Sequence, residues 1–83
     1  MTFKQLPTLR AREVIKAIER IGFVLDRQKG SHAIYIHPKT KARAVIPIHP
    51  GKTIKKPLLM AIIKDAGLKV NEFLELLSKQ TVF

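Results

Sequence analysis

A glycine-serine-histidine segment is the part of this chain best suited to chemistry. Gly30, Ser31 and His32 stand at the junction of two strand-like segments, and Lys29 comes directly before them. Glycine and serine favour a tight turn and let a ligand approach the backbone closely. A histidine that titrates near neutrality can take a proton from a hydroxyl or give one to a departing oxygen. We predict that His32 is catalytic; the alternative is a structural, hydrogen-bonding histidine.

A second cluster of cations precedes a predicted helix. Lys52, Lys55 and Lys56 lie close together in the chain, and the next acidic residue is Asp65. Lysines at a helix N-terminus oppose the helix dipole by about 0.3–1 kcal/mol each. The arrangement becomes favourable once an anion sits among the lysines and the free amides. The cluster therefore predicts a phosphate site, the alternative being charges that are merely solvated.

Other chemically capable side chains are weaker candidates. His37 and His49 both precede prolines near loops, where a surface histidine is usually just solvated. Tyr35 could stack on a base, but a single tyrosine is no aromatic platform, so a plain sheet residue is expected. The spacing of the three histidines does not suit a metal ion, and we predict neither a metal site nor a small-molecule cofactor.

Composition narrows the class of protein. The 83 residues, 46% of them hydrophobic, predict a single domain over residues 1–83 with one modest core. The absence of cysteine excludes disulfides and fits a cytoplasmic protein. Charges recur every few residues from Met1 onward, so neither a signal peptide nor a membrane span is predicted. The net charge of +10 favours an anionic partner such as nucleic acid or an acidic protein over a membrane surface.

Hydrophobic periodicity predicts helices and strands in a simple order. An amphipathic helix from about Arg10 to Ile21 precedes three short strands, Phe23–Lys29, His32–His37 and Ala42–Pro47. A loop, Ile48–Thr53, leads to two helices, Pro57–Ala66 and Val70–Lys79. The expected apolar faces of these last helices are Leu58, Leu59, Ile62 and Ile63, then Val70, Phe73, Leu74 and Leu77.

This order predicts an α+β fold. Short connections imply an antiparallel sheet, and helices that bury one face against it give a two-layer sandwich. His32, Ile34 and Ile36 share one sheet face in this pattern. If the isoleucines face the core, His32 lies at the rim of the buried face.

Several segments together resemble one family. The chain is similar, from about Leu9 to Leu77, to the HicA (YcfA-like) family of small mRNA interferase toxins from toxin–antitoxin systems. The segments that carry the resemblance are Arg12-Glu13-Val14-Ile15, Gly22-Phe23, Gln28-Lys29-Gly30-Ser31-His32, Pro47-Ile48-His49-Pro50-Gly51-Lys52 and Leu58 through Leu68. The chain departs from the family at Arg10, where a small helix-capping residue is common, and at Ala33, where a histidine or aromatic residue often follows the motif.

The resemblance has implications for fold, activity and partners. It implies a fold like that of double-stranded-RNA-binding domains and ribosome-independent cleavage of mRNA, with His32 essential. It also implies inhibition by a HicB-like antitoxin that covers the active site.

Two hypotheses of function follow from the residues and the resemblance together. The first is a metal-independent endoribonuclease in which His32 transfers protons while Lys29, Ser31, Lys52, Lys55 and Lys56 bind RNA. The alternative is a non-catalytic RNA-binding module that uses the same lysines to recognise A-form shape. A basic protein that binds a partner without any RNA role is a further possibility.

Overall fold

A small antiparallel sheet and the helices packed on it form the architecture. The structure, a computed structural model, describes residues 6–79. Its elements in chain order are β1 (Leu9–Arg10), α1 (Ala11–Glu19), β2 (Val24–Lys29), β3 (His32–Ile36), β4 (Arg43–Pro47), β5 (Thr53–Ile54), α2 (Lys56–Asp65) and α3 (Val70–Lys79). The order β2-β3-β4 makes a three-stranded antiparallel sheet. The predicted α+β fold is confirmed, with α1-β2-β3-β4-α2 in the order that double-stranded-RNA-binding domains share.

The first helix is amphipathic because its apolar residues recur at helical spacing. Ala11, Val14, Ala17 and Ile18 are buried, while Arg12, Lys16, Glu19 and Arg20 are exposed on the other side. The helix starts one residue later than predicted because Arg10 is extended. The Glu13 carboxylate accepts a hydrogen bond of 2.8 Å from the Arg10 backbone N–H. Glu13 therefore stabilises the N-terminus of a helix that has no small capping residue.

Alternation along β3 decides which sheet face the helices cover. Ala33 and Tyr35 belong to the core, together with Ala44 and Ile46 of β4. His32, Ile34 and Ile36 therefore lie on the opposite, helix-free face. The condition under which His32 would lie at the rim of the helix-covered face is therefore not met, and His32 is exposed, although Ile34 on the same face is buried.

A two-residue ladder ties the two helix starts together. Leu9 pairs with Ile54, and Arg10 pairs with Thr53, in antiparallel register between β1 and β5. The sequence pattern placed Thr53 in a loop, because two-residue strands carry no measurable periodicity. Leu9 and Ile54 are both buried, so this short ladder fixes the segment before α2 against the start of α1.

The last two helices cover the core with somewhat different residues than predicted. In α2, Leu59, Ile62 and Ile63 are buried, but Leu58 is 42% exposed and does not belong to the buried stripe. Phe73 and Leu76 are the buried residues of α3. The expected core residues Val70, Leu74 and Leu77 only pack partly buried against the core.

No helix within residues 6–79 has the length and apolar character needed to cross a bilayer. The prediction that the first residues form no signal peptide concerns residues 1–5, which lie outside the described part of the chain.

Candidate functional site

The hairpin turn between β2 and β3 presents the predicted catalytic motif. Lys29 and His32 are directly paired across the two strands, so Gly30 and Ser31 form the whole connection. Gly30 has a φ of +57°, a left-handed conformation that favours glycine, and a Cβ there would meet nothing within 4 Å. The Gln28 side-chain amide donates to the Gly30 carbonyl at 3.3 Å. The turn is thus open to solvent and held by a local bond.

His32 occupies the end of the sheet with its ring unengaged. It is the first residue of β3 and lies between Lys29 of β2 and Pro47 of β4 in the ladder. The side chain is exposed, and within residues 6–79 its ring makes no hydrogen bond or ion pair. An imidazole of this kind is available to exchange a proton with a bound molecule, and a cation stands beside it.

The loop after β4 lies against the same turn. The Ile48 backbone N–H donates to the Ser31 carbonyl at 2.6 Å, which continues the β3–β4 ladder by one step past His32 and Pro47. The Lys52 N–H then donates to the His49 carbonyl at 3.0 Å, and Gly51 takes a positive φ of 78°. These bonds hold the loop in a tight turn next to the motif.

Two depressions border this loop and are rimmed by cations. A cavity of about 210 Å³ is lined by the loop and by the start of α1, where Arg10 and Arg12 lie opposite His49 and Lys52. A larger and mainly apolar groove of about 440 Å³ runs from Pro47 to Leu58 and is also lined by His49, Lys52, Thr53, Ile54, Lys55 and Pro57. Arg10 and Arg12 were absent from the predicted site.

The structure divides the predicted RNA-binding residues into groups. Lys29 and Ser31 stand with His32 at the hairpin, while Lys52 and Lys55 line the groove beyond Pro47. Lys56 is the first residue of α2, is only half exposed, and does not line that groove. Of the three lysines that lie close together in the sequence, Lys52 and Lys55 therefore line the groove, and Lys56 does not.

The charges at the start of α2 favour binding of an anion there. Lys55 precedes the helix in an extended conformation, and no acidic residue lies in the first turn. Within the described residues, no side chain caps this helix start. Free amides and nearby lysines together give a positive potential at the end of the groove.

His37, in contrast to His32, is held on both ring nitrogens. Its Nε2 faces the Ile21 carbonyl at 2.7 Å, and its Nδ1 accepts from the backbone N–H groups of Lys39 (3.1 Å) and Thr40 (3.3 Å). The ring also meets Phe23 edge-on, with centroids 5.2 Å apart. The expectation of a merely solvated side chain was wrong for His37, which joins the end of α1 to the β3–β4 connection.

Tyr35 is a sheet residue, as expected, and it faces the helices. It is buried in the core, where burial, and secondarily the nearby Glu19 carboxylate, raises the pKa of its phenol. This position removes Tyr35 from any surface on which a base could stack. Elsewhere in residues 6–79, histidine and acidic side chains do not come together in groups of three or more that could hold a metal ion.

Comparison with known protein families agrees with the fold. The family model for the HicA toxin of bacterial toxin–antitoxin systems matches residues 11–68, from the start of α1 to the residues after α2. The matched region includes the hairpin motif, the loop after β4 and the groove. No curated protein matches the chain. This match covers more than half of the chain, and the chain therefore belongs to the HicA toxin family of toxin–antitoxin systems.

His49 is the residue whose placement the sequence did not reveal. It was a weaker candidate because it precedes a proline in a loop, yet the structure puts that loop against the Gly30-Ser31 turn. A signal for this was present: His49 follows Pro47 by two residues, and Pro47 ends the strand that pairs with His32. Finding it would have required the register of the β3–β4 ladder, which hydrophobic alternation alone does not fix.

Proposed function

We propose that this HicA-family toxin is a ribosome-independent endoribonuclease that cleaves mRNA in the cytoplasm. The observation that carries the proposal is the exposed, unengaged imidazole of His32 beside Lys29 at an open turn. The net charge of +10 supports an RNA substrate, because phosphate neutralisation dominates affinity for nucleic acids.

The proposed reaction uses the RNA's own hydroxyl as the nucleophile. The ribose 2′-oxygen forms a bond to the adjacent phosphorus, and the bond from phosphorus to the 5′-oxygen breaks. His32 transfers a proton in this step, either from the 2′-hydroxyl or to the leaving oxygen. The products are a 2′,3′-cyclic phosphate, which opens to a 3′-phosphate, and a 5′-hydroxyl. No metal ion is required in this scheme.

The surrounding cations are proposed to bind the backbone. Lys29 and Ser31 lie next to the cleaved phosphate in this scheme, where a cation stabilises the charge that develops on its oxygens. Lys52 and Lys55 hold the neighbouring phosphates along the groove, and Lys56 adds positive potential at the start of α2. These contacts position RNA without reading its bases.

Membership of a toxin–antitoxin family implies an antitoxin partner. We propose that this partner is a HicB-like protein and that it inhibits by covering His32. The sheet face around His32 offers a suitable surface, since the partly exposed Val45 lies next to the buried Ile34 and the exposed Arg27 pairs with Ile34 from β2. An antitoxin with acidic groups around an apolar patch would complement it.

The test is RNA cleavage by His32→Ala. The variant should lose cleavage by about 10²–10⁴-fold, the usual contribution of a proton-transferring side chain, while circular dichroism and unfolding stay unchanged. Lys64→Ala, an exposed change at the far end of α2, is the matched control and should cleave normally. Cleavage by folded His32→Ala at the wild-type rate would contradict the proposal. Binding of RNA by the wild type with no cleavage would favour the RNA-binding module instead.

A further inference from the structure

Cleavage through the 2′-hydroxyl moves two protons, and a single imidazole serves only one side of the phosphorus. One proton leaves the 2′-oxygen as it bonds to phosphorus, and another reaches the 5′-oxygen as it departs. The attacking and leaving oxygens lie on opposite sides of the phosphorus in an in-line displacement. A second proton-transferring group on the far side of the phosphate therefore accelerates the reaction.

The β3–β4 register places one further histidine beside His32. His32 pairs with Pro47, and the bond from the Ile48 N–H to the Ser31 carbonyl extends this ladder into the loop. His49 is two residues beyond Pro47, so its backbone stands diagonal to that of His32 where the ladder ends, and its side chain lines the depressions at the starts of α1 and α2. Diagonal neighbours in an antiparallel pair are about 7–8 Å apart, a separation that leaves room for a phosphate between two side chains.

The surroundings of His49 suit a proton donor or acceptor at a phosphate. Its side chain is exposed, and within residues 6–79 its ring makes no hydrogen bond or ion pair. The bond between its carbonyl and the Lys52 N–H fixes its backbone. It lines both depressions, so Arg10 and Arg12 on one side and Lys55 on the other surround it with positive charge.

Other titratable groups near the hairpin are already engaged. Both ring nitrogens of His37 have hydrogen-bond partners, as described above. Asp26 forms an ion pair of 3.5 Å with Arg27 on β2. Tyr35 is buried on the opposite face of the sheet. These groups leave His49 as the available partner among the described residues around His32.

We propose that His49 is a second catalytic residue and that His32 and His49 each carry out one of the two proton transfers. This inference rests on the proposed endoribonuclease function. One histidine, neutral at the start, takes the 2′-hydroxyl proton as the bond from the 2′-oxygen to phosphorus forms. The other, protonated at the start, gives its proton to the 5′-oxygen as the bond from phosphorus to that oxygen breaks. The two histidines finish with exchanged protonation states and return through exchange with water.

The test compares two RNAs that differ by one atom. The first is an ordinary RNA that the wild type cleaves at a mapped linkage, and the second carries sulfur in place of the 5′-oxygen there. A thiolate leaves without being protonated, so the sulfur RNA makes the proton donor dispensable. We expect His32→Ala and His49→Ala each to lose about 10²–10⁴-fold on the ordinary RNA. One variant, and not the other, should recover to near the wild-type rate on the sulfur RNA.

Lys52→Ala is the matched control, since it alters the same loop without removing an imidazole. It should weaken RNA binding and leave the ratio of the two cleavage rates at the wild-type value. Recovery of both histidine variants or of neither, or full activity of His49→Ala on the ordinary RNA, would overturn the role of His49. A wild-type protein that cleaves neither RNA would contradict the endoribonuclease function itself, and the inference with it.

Discussion

His32 and His37 lie at opposite ends of β3, and their surroundings decide what each can do. His37 has a carbonyl on one ring nitrogen and two backbone N–H groups on the other, so its ring is held in place. Gly22 packs so closely that a Cβ there would come within 2.9 Å of the His37 ring. His32 has an exposed ring beside Lys29, and chemistry rather than packing is its expected contribution.

Replacing His37 by alanine should therefore destabilise the protein. The change leaves the Ile21 carbonyl and two backbone N–H groups without their partner and removes the ring contact with Phe23. We expect a decrease of about 1–3 kcal/mol in the free energy of unfolding, the usual cost of unsatisfied polar groups. Urea unfolding followed by circular dichroism measures it.

His49→Ala is the control for this stability measurement, because it truncates an exposed histidine that also precedes a proline. It should shift stability by less than about 0.5 kcal/mol, as surface changes usually do. Equal stability of His37→Ala and the wild type would show that the His37 contacts contribute nothing to folding.

At the scale of elements, the loop after β4 and the start of α2 form one mainly apolar groove that two lysines border. Lys52 and Lys55, the residues directly before and after β5, line this groove, whereas Lys56 is the first residue of α2. The β1–β5 ladder sets this arrangement, since it fixes Thr53 against Arg10 and so brings the loop next to α1. RNA binding should thus depend on groove lysines more than on the charge of the chain as a whole.

The double change Lys52→Ala, Lys55→Ala should weaken binding to all RNAs alike. For each lysine–phosphate interaction that the change removes, the slope of log affinity against log salt should become shallower by about 0.7–0.9. The melting temperature should not fall, because these charges oppose the dipole of α2 when no anion is bound. Titration of RNA at several salt concentrations, with thermal unfolding in parallel, gives both quantities.

The matched control removes the same charge from the other end of α2. Lys64→Ala, Lys69→Ala should leave the salt slope close to that of the wild type. Equal slopes for the two double variants would place the phosphate-binding residues elsewhere on the basic surface.

The long elements were predictable from the sequence, and the short ones were not. The periodicity of α1 and the apolar patterns of β3 and β4 located these elements within a residue or two, because burial of one face leaves a pattern in the chain. All six residues of β2 are exposed, so no such pattern marks that strand. The β1–β5 ladder leaves none, since each strand has two residues. The strand pattern also left open which face of β3 the helices cover, because small Ala33 and Ala44 line the core while the larger Ile34 lies on the other face.

The candidate site was predictable where it is local in sequence. Gly30, Ser31 and His32 are consecutive, so their turn and its chemistry follow from the motif. The approach of His49 to this turn depends on the β3–β4 register, and the approach of Arg10 and Arg12 to Lys52 depends on the β1–β5 ladder. Contacts between segments distant in the chain carried no signal in a single sequence.

At the scale of the whole molecule, the two faces of the sheet have different surroundings. The helices cover one sheet face and bury the core, while the other face keeps His32, Ile34 and Ile36 together. The net charge of +10 favours attraction of an anionic partner such as the proposed RNA substrate, and family membership implies an antitoxin partner.

The central claim is cleavage through the ribose 2′-hydroxyl by histidine side chains without a metal ion. The most direct measurement is the chemistry of the product ends after the purified wild type acts on RNA in the presence of a chelator. We expect undiminished cleavage that yields a 5′-hydroxyl and a 2′,3′-cyclic phosphate or 3′-phosphate. Products with a 5′-phosphate, or cleavage that stops in chelator and returns with magnesium or zinc, would contradict the account.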